Sequence, residues 1–385
     1  MSLLITNIAL VTHESVLENH WLLIEGGIIS SAGPMPETPS AARTIDGRGR
    51  HLMPGAVEIH IHGAAGVDAM DADENYITAI SRHLPRTGTT AFLATTMTTA
   101  LSDIQAALEN LSAHRYAGGA EMLGIHLEGP FISGKHPGAQ DPGCILPPDA
   151  DTLRKLQAWS GNRIRIMTYA PEEDAGYEMP SVMKALGILP SAGHTDAAYR
   201  QLEDARRHGL QHITHLYNGM RGLHHREPGV VGYSFLGDAY VELIADGIHS
   251  APEMVKLAYD NITSGRMIMI TDAMRAQGLG DGVYDLGGQE VFVEGGAARL
   301  ADGTLAGSVL TMKQAVKNMF EFTGCGWTDI VRMTSYNALQ SLGLTGERGL
   351  IRAGHPADLV MYDEDKELVM TIVRGEVYYG NHPDS

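Results

Sequence analysis

Eight short apolar runs alternate with helical stretches through the middle of the chain, and this alternation limits the possible folds more than any other feature. The predicted strands cover residues 57–62, 89–95, 122–128, 163–169, 188–194, 212–216, 241–246 and 267–272. The predicted helices between them cover residues 75–84, 101–114, 150–159, 197–208 and 252–262. Eight strands separated by helices are typical of an α/β fold, the parallel (β/α)8 or TIM-like barrel.

Two segments interrupt this alternation. The connection after the sixth run, around residues 219–232, is so rich in glycine and proline that no regular helix is predicted there. Residues 282–305 mix β-forming residues with glycines, so we predict a β-hairpin insertion after the eighth strand. Helices are expected to resume at residues 308–322 and 328–341.

The two ends of the chain have a different pattern from the middle. Short β-forming runs separated by polar or glycine turns fill residues 1–53 and 350–385. We therefore predict that both termini combine into one small β-sandwich domain. The barrel domain would then occupy residues 54–349, beginning at Pro54-Gly55.

The charge of the chain argues against several classes of partner. The 385 residues include 28 Lys and Arg against 46 Asp and Glu, a formal net charge of −18. A surface this negative repels phosphate backbones and anionic lipid, so we expect no nucleic-acid or membrane partner. A local basic pocket for a small anion remains compatible with this charge.

Cysteine usage and the N-terminal residues indicate the cellular compartment. Cys144 and Cys325 cannot form a disulfide framework, so we expect two inert thiols. The first residues lack the basic and apolar regions of a signal peptide. No apolar stretch approaches the roughly 20 residues of a membrane span. The expected location is the cytoplasm.

Metal-ligating residue types end several of the predicted strands, and barrel strand ends meet at one rim. His60 and His62 are two residues apart, which on a strand places both imidazoles on one face. The alternative is a pair of hydrogen-bonded interior histidines. Glu128, His194 and His215 end or follow three other runs, with a capping glutamate and loop histidines as alternatives. One carboxylate and two imidazoles with an open position form a common catalytic zinc or iron site.

Three further residues suggest catalytic or binding roles. Asp272 ends the eighth run, where a carboxylate can exchange protons with a metal-activated water; a helix N-cap is the alternative. His249 can donate a hydrogen bond to a carbonyl oxygen, or be a surface histidine. Arg226 lies in the glycine-rich loop after the sixth run and suits phosphate binding, unless it only pairs with Glu227.

These residues give the chain a resemblance to a known family. It resembles the N-acetylglucosamine-6-phosphate deacetylases of the amidohydrolase superfamily over nearly its whole length. The matching motifs are Pro54-Gly55, His60-x-His62, His126-Leu127-Glu128-Gly129-Pro130-Phe131, Ala170-Pro171-Glu172, Gly193-His194-Thr195, Thr214-His215-Leu216-Tyr217-Asn218, Arg226-Glu227-Pro228-Gly229, Asp246-Gly247-Ile248-His249, Thr271-Asp272-Ala273 and Leu305-Ala306-Gly307-Ser308.

The resemblance implies a role for each matched position. The main divalent metal, zinc or iron, would be held by Glu128, His194 and His215, and a second ion by His60 and His62. Asp272 would be the general base and acid, and His249 would polarise the acetamide carbonyl. The sugar phosphate would be bound by Asn218, Gly219, Gln140, Leu305 and Ala306. Arg226 would bind phosphate in the neighbouring subunit of a homodimer.

Two departures from the family pattern affect the substrate. The family usually has a sugar-contacting histidine where this sequence has Gln140, and its Asn-Ala-Met is here Asn218-Gly219-Met220. The leading hypothesis is hydrolysis of N-acetylglucosamine 6-phosphate to glucosamine 6-phosphate and acetate. The alternatives are another N-acetylhexosamine phosphate such as the galactosamine epimer, a cyclic-amide hydrolase or aminoacylase, and a non-catalytic scaffold.

Overall fold

Eight parallel strands pair in chain order to form a barrel. A computed structural model describes residues 2–73, 75–114, 116 and 118–380. The barrel strands, first to eighth, are Ala56–Ile61, Thr89–Thr95, Glu121–Glu128, Ile164–Tyr169, Leu189–Ala192, His212–Ile213, Tyr240–Ile244 and Met267–Ile270. The ring closes where Ile61 forms a parallel bridge with Ala273 and the Asp272 N–H donates to the His60 carbonyl. The predicted (β/α)8 barrel is confirmed.

The barrel strands are apolar with a few charged exceptions. Strands of a parallel barrel are covered on both faces, which explains their nearly continuous apolar sequences. The first strand is buried along its whole length, yet it contains Glu58 and His60. The seventh strand contains the fully buried Glu242. Buried charged groups require partners, so these exceptions mark the part of the barrel where polar groups meet.

Helices cover the outside of the barrel. They are Asn75–His83, Leu101–Ala113, Ala150–Trp159, Met179–Ala185, Tyr199–Arg207, Gly229–Leu236, Pro252–Ile262, Met312–Thr323, Trp327–Val331 and Asn337–Ser341, the last two joined by a π-helical turn at Arg332–Tyr336. The helix Ala150–Trp159 begins where its sequence predicts, because the Asp149 side chain accepts a hydrogen bond from Thr152 N–H at 2.7 Å.

One of these helices contradicts the sequence prediction. Residues around 219–232 were expected to lack a regular helix, but Gly229–Leu236 is helical. Its residues 229–234 are all buried. Burial against the neighbouring barrel helices outweighs the poor intrinsic helix propensity of its two glycines.

Strands from both termini form one mixed sheet beside the barrel. Its strands are Ser2–Val11, Val16–Glu25, Ile28–Pro34, Arg43–Asp46, His51–Pro54, Leu359–Tyr362, Leu368–Val373 and Glu376–Tyr379. The two termini join where His51–Pro54 pairs antiparallel with Leu359–Tyr362. Some apolar side chains of this sheet, such as Ile5 and Ile372, form a cluster of their own, whereas others, such as Met53 and Val360, belong to the barrel core.

The segment after the eighth barrel strand is a three-stranded antiparallel sheet rather than a simple hairpin. Its strands are Gly282–Leu286, Gln289–Glu294 and Ala297–Arg299. A small apolar cluster, which includes Leu286 and Ala306, packs this sheet against the end of the barrel. Within the described residues, no helix is both long and apolar enough to cross a membrane.

Candidate active site

A carboxylate and two imidazoles converge at one end of the barrel. Glu128, the last residue of the third strand, places its Oε1 3.1 Å from His194 Nε2 and 3.2 Å from His215 Nε2. The two imidazole nitrogens are 3.2 Å apart. Donor atoms arranged in this way can bind one divalent ion and leave a coordination position open. The structure therefore brings together the three residues that were predicted as the main metal ligands.

A second set of donors adjoins the first. Asp272 Oδ1 lies 3.4 Å from His60 Nε2 and 3.2 Å from His62 Nε2. Glu128 lies between the two sets, because its Oε1 is 3.5 Å from His60 Nε2 and its Oε2 is 3.4 Å from His62 Nε2. Glu128, His194 and His215 could hold one ion, and His60, His62 and Asp272 could hold another.

The charges of these side chains fit a cation. Burial alone would raise the pKa of Asp272, but His60 and His62 outweigh burial and lower it to about 2. Burial also opposes ionisation of Glu128, yet the imidazoles, His60 foremost, hold its pKa well below the usual range. Burial would lower the pKa of His60, and the surrounding carboxylates instead raise it to about 10. Both carboxylates are therefore ionised, and the site favours positive charge at its centre.

Replacing both His60 and His62 by alanine is expected to leave about one ion per chain, because the Glu128, His194 and His215 set does not include them. Elemental analysis after dialysis measures this content. The double variant His224→Ala/His225→Ala, in an exposed loop, serves as a control and should keep the wild-type content. Finding no metal in the His60/His62 variant would contradict the proposed order of binding.

The backbone at these residues explains why the strands end before them. His194, His215 and Asp272 have φ values of 46°, 29° and 51°, a region that residues other than glycine rarely occupy. The fifth and sixth strands consequently end at Ala192 and Ile213, earlier than predicted. Such strained conformations cluster at functional sites, where they direct side chains into a pocket.

A third group of possible ligands, His60, His126 and Glu242, is not a second metal centre. His126 is held by the Ile59 carbonyl at 2.9 Å from Nδ1 and by Thr168 Oγ1 at 2.7 Å from Nε2. Both ring nitrogens are thus engaged. Burial lowers the pKa of His126 to about 3, so the ring is neutral.

The sequence analysis missed Glu58 and Glu242. Both are fully buried in barrel strands and contact His60, Glu58 at the backbone N–H and Glu242 at the imidazole. The available signal was a single glutamate inside an otherwise apolar run, as in Tyr240–Ile244. That signal marks a buried charge but does not identify its partner.

The pocket above the donor sets contains other predicted site residues. His249 and Asn218 line it, as do Gly219 and Leu305. His249 is fixed in place by Asp246, whose Oδ2 lies 2.6 Å from His249 Nδ1, so the other ring nitrogen remains for a ligand. Ala306 is buried behind this wall.

Gly219 is packed against His194 and His215, two of the candidate metal ligands. Its φ is +57°, and a Cβ on it would lie 3.0 Å from His194 Nδ1 and 3.4 Å from His215 Cε1. Glycine therefore relieves both backbone strain and crowding here. This gives a structural reason for the departure from the family's alanine at this position.

Gln140 is buried in the pocket wall and contacts Glu128, a candidate metal ligand, directly. Its Oε1 accepts a hydrogen bond from Thr98 N–H at 2.6 Å. Because a backbone N–H can only donate, this contact fixes the orientation of the amide. Gln140 Nε2 then donates to Glu128 Oε2 at 2.7 Å. Gln140 was predicted as a sugar contact; its position also holds the Glu128 carboxylate.

Replacing Gln140 by leucine is expected to lower the free energy of unfolding by about 1–3 kcal/mol, because Thr98 N–H and Glu128 lose a buried partner. Urea denaturation of the metal-free protein measures the change. Gln105→Leu is the matched control: its amide bonds Glu109 at the surface, so about 0.5 kcal/mol or less is expected. Equal effects of the two substitutions would contradict the assignment.

Arg226 lies outside the pocket of its own chain. It is exposed, and its Nη1 lies 2.8 Å from His225 Nε2. Arg221, in the same loop, is engaged in two hydrogen bonds of 2.8 and 2.9 Å with Asp196. The described residues that line the pocket include no lysine or arginine.

Comparison with known proteins identifies the family. The model of the amidohydrolase family matches residues 51–378, most of the chain. The chain belongs to the amidohydrolase family.

Relatives of this amidohydrolase include sugar-phosphate deacetylases. The N-acetylglucosamine-6-phosphate deacetylase of Bacillus subtilis (strain 168) is 46% identical over 385 residues, 98% of this chain and 97% of the relative. The N-acetylgalactosamine-6-phosphate deacetylase of Escherichia coli O157:H7 is 35% identical, covering 96% and 97% of the two chains. These similarities confirm the family resemblance that the motifs indicated.

A solved structure shows the same architecture as this amidohydrolase. The N-acetyl-D-glucosamine-6-phosphate deacetylase of Mycobacterium smegmatis, in complex with N-acetyl-D-glucosamine-6-phosphate, matches with a TM-score of 0.91 and 30% identity. The match covers 98% of this chain and 99% of the other.

Proposed function

We propose that this amidohydrolase removes the acetyl group from N-acetylglucosamine 6-phosphate and releases glucosamine 6-phosphate and acetate. The observation that carries the proposal is the convergence of ionised Asp272 with the Glu128, His194 and His215 donor set at one pocket. One or two ions of zinc or iron would be held there, the first by this set and the second with His60 and His62. A bound divalent ion would supply Lewis-acid activation of water and of the acetyl carbonyl.

The side chains have separate tasks in this reaction. Asp272 takes a proton from the attacking water and later delivers it to the leaving amine nitrogen, the general base and acid task of a carboxylate. His249 hydrogen-bonds the acetyl oxygen through Nε2, since Asp246 holds its Nδ1. The pocket wall at Leu305, with the buried Ala306 next to it in the chain, shields the reacting group from water.

Phosphate recognition requires a cation from outside the chain's own pocket. Asn218 and Gly219 line the pocket where a phosphate would lie, but the described lining contains no lysine or arginine. We assign this task to Arg226 of a second copy, in a homodimer, because Arg226 is exposed and Arg221 is neutralised by Asp196. We propose that the reaction takes place in the cytoplasm.

The galactosamine epimer is the second candidate substrate. Gln140 and Gly219 depart from the family pattern in the substrate pocket, and one relative is named as an N-acetylgalactosamine-6-phosphate deacetylase. The amide of Gln140 is engaged by Thr98 and Glu128, which leaves one N–H hydrogen for a sugar hydroxyl. This single N–H does not distinguish the two epimers. The glucosamine substrate is the leading proposal because of the names of the relatives.

The test is a deacetylation assay on both N-acetylhexosamines, each with and without the 6-phosphate. Acetate release should be fastest for N-acetylglucosamine 6-phosphate, with kcat/KM at least about tenfold above its unphosphorylated form, because a charged hydrogen bond is lost. A higher kcat/KM for the galactosamine epimer would replace the leading substrate. No acetate release from any of the four compounds by zinc- or iron-loaded protein would refute the function.

A further inference from the structure

Glu242 connects the two proposed metal subsites from inside the barrel. It lies in the seventh barrel strand, Tyr240–Ile244, and is fully buried. Its Oε2 is 3.0 Å from His60 Nδ1 and accepts a hydrogen bond of 3.2 Å from the His215 backbone N–H. One carboxylate oxygen therefore contacts a residue of each donor set.

The contact between Glu242 Oε2 and His60 Nδ1 fixes the orientation of the His60 ring. A carboxylate at Nδ1 keeps a ring proton on that nitrogen, so Nε2 is the nitrogen left to bind an ion. His60 Nε2 lies 3.5 Å from Glu128 Oε1 and 3.4 Å from Asp272 Oδ1. It has no hydrogen-bond partner among the described residues, although it is completely buried. The geometry thus places His60 Nε2, the nitrogen left to bind an ion, at the point where the two carboxylates meet.

The surroundings of Glu242 argue against a purely packing role. Its Oε1 has no hydrogen-bond partner within the described residues. His212 Nδ1 lies 3.8 Å from this oxygen and is bonded to Ser191, and burial lowers the pKa of His212, so this ring does not supply a compensating charge. A buried carboxylate with only one of its oxygens hydrogen-bonded is costly. The cost is offset if the charge faces a cation bound through His60.

We propose that Glu242 is a positioning residue that orients His60 as a metal ligand and strengthens its binding to the ion. The proposal rests on the metal site of the proposed function, and extends it to a carboxylate that touches neither substrate nor ion. Carboxylates that hold a ligating histidine in this way typically change metal affinity by about 10- to 100-fold.

The test compares Glu242→Gln with Glu58→Gln. Glu58 is the matched control, since it is equally buried and also contacts His60, but only through the backbone N–H groups of His60 and Thr271, at 3.1 and 3.0 Å. Metal-free protein is titrated with Zn²⁺ alone in competition with a chromophoric chelator. Glu242→Gln should weaken the Zn²⁺ equivalent that depends on His60 by about 10- to 100-fold, and Glu58→Gln by about threefold or less.

Equal weakening by both variants, or none by Glu242→Gln, would overturn the proposal. A second measurement covers the case in which Glu242→Gln does not fold. In Zn²⁺-loaded wild-type protein, nitrogen-15 shifts of labelled histidine, with His60 assigned by comparison with His60→Asn, should show a proton on Nδ1 and none on Nε2. A proton on His60 Nε2 would also overturn it. Neither readout involves substrate, so failure of the deacetylase assay is separate from failure here.

Discussion

Asp272→Asn is expected to lower the turnover of N-acetylglucosamine 6-phosphate by about 100-fold or more, because general acid–base catalysis contributes at least that much. The asparagine has nearly the same shape but cannot take a proton from water or return it to the amine. Metal should remain bound, since the Glu128, His194 and His215 donors are unchanged. Steady-state kinetics and elemental analysis of the same preparation measure both effects.

The control for this substitution is Asp365→Asn, an exposed carboxylate outside the barrel. It should keep wild-type turnover. If Asp272→Asn retains more than about a tenth of the wild-type rate with metal present, Asp272 is not the proton-transfer group, since such groups contribute about 100-fold. Loss of all metal from Asp272→Asn would instead make it an essential ligand.

Arg226→Ala is expected to raise KM for the 6-phosphorylated sugar by roughly 10- to 150-fold, the equivalent of a charged hydrogen bond of about 1.5–3 kcal/mol. The KM of the unphosphorylated sugar should change little, because the removed cation has no phosphate to bind. Arg221→Ala is the matched control from the same loop. Its guanidinium is engaged by Asp196, so the ratio of the two KM values should stay near the wild-type ratio.

Mixed dimers test whether Arg226 acts across a subunit interface. A dimer of one Arg226→Ala chain and one Asp272→Asn chain contains one site with both residues intact if Arg226 serves the neighbour. Mixing two weak variants should then restore activity. If confirmed heterodimers show no restoration, Arg226 acts in its own chain or does not bind phosphate.

The barrel and the convergence of most candidate metal donors were predictable because their signals are local. Apolar runs of strand length, separated by helix-length stretches, can be recognised within a short window of the sequence. The spacing of His60 and His62 places them on one face of a strand whatever the rest of the chain does. Glu128 and Asp272 could be located in the same way, since barrel strand ends meet at one rim.

The tertiary structure determined the features that depend on contacts between residues distant in the sequence. The helix Gly229–Leu236 is stabilised by burial of its residues against neighbouring elements. Its glycine-rich sequence does not predict this burial. Gln140 was predicted to read the sugar, and the fold brings its amide to Glu128.

The contact between His60 and Glu242 joins residues 182 positions apart, and closure of the barrel alone brings them within 3.0 Å. The sequence by itself determined which strands form and which polar residues lie at or just beyond their ends. The tertiary structure determined which buried polar groups become partners, because a hydrogen bond depends on distance and direction between atoms that the chain brings together only on folding.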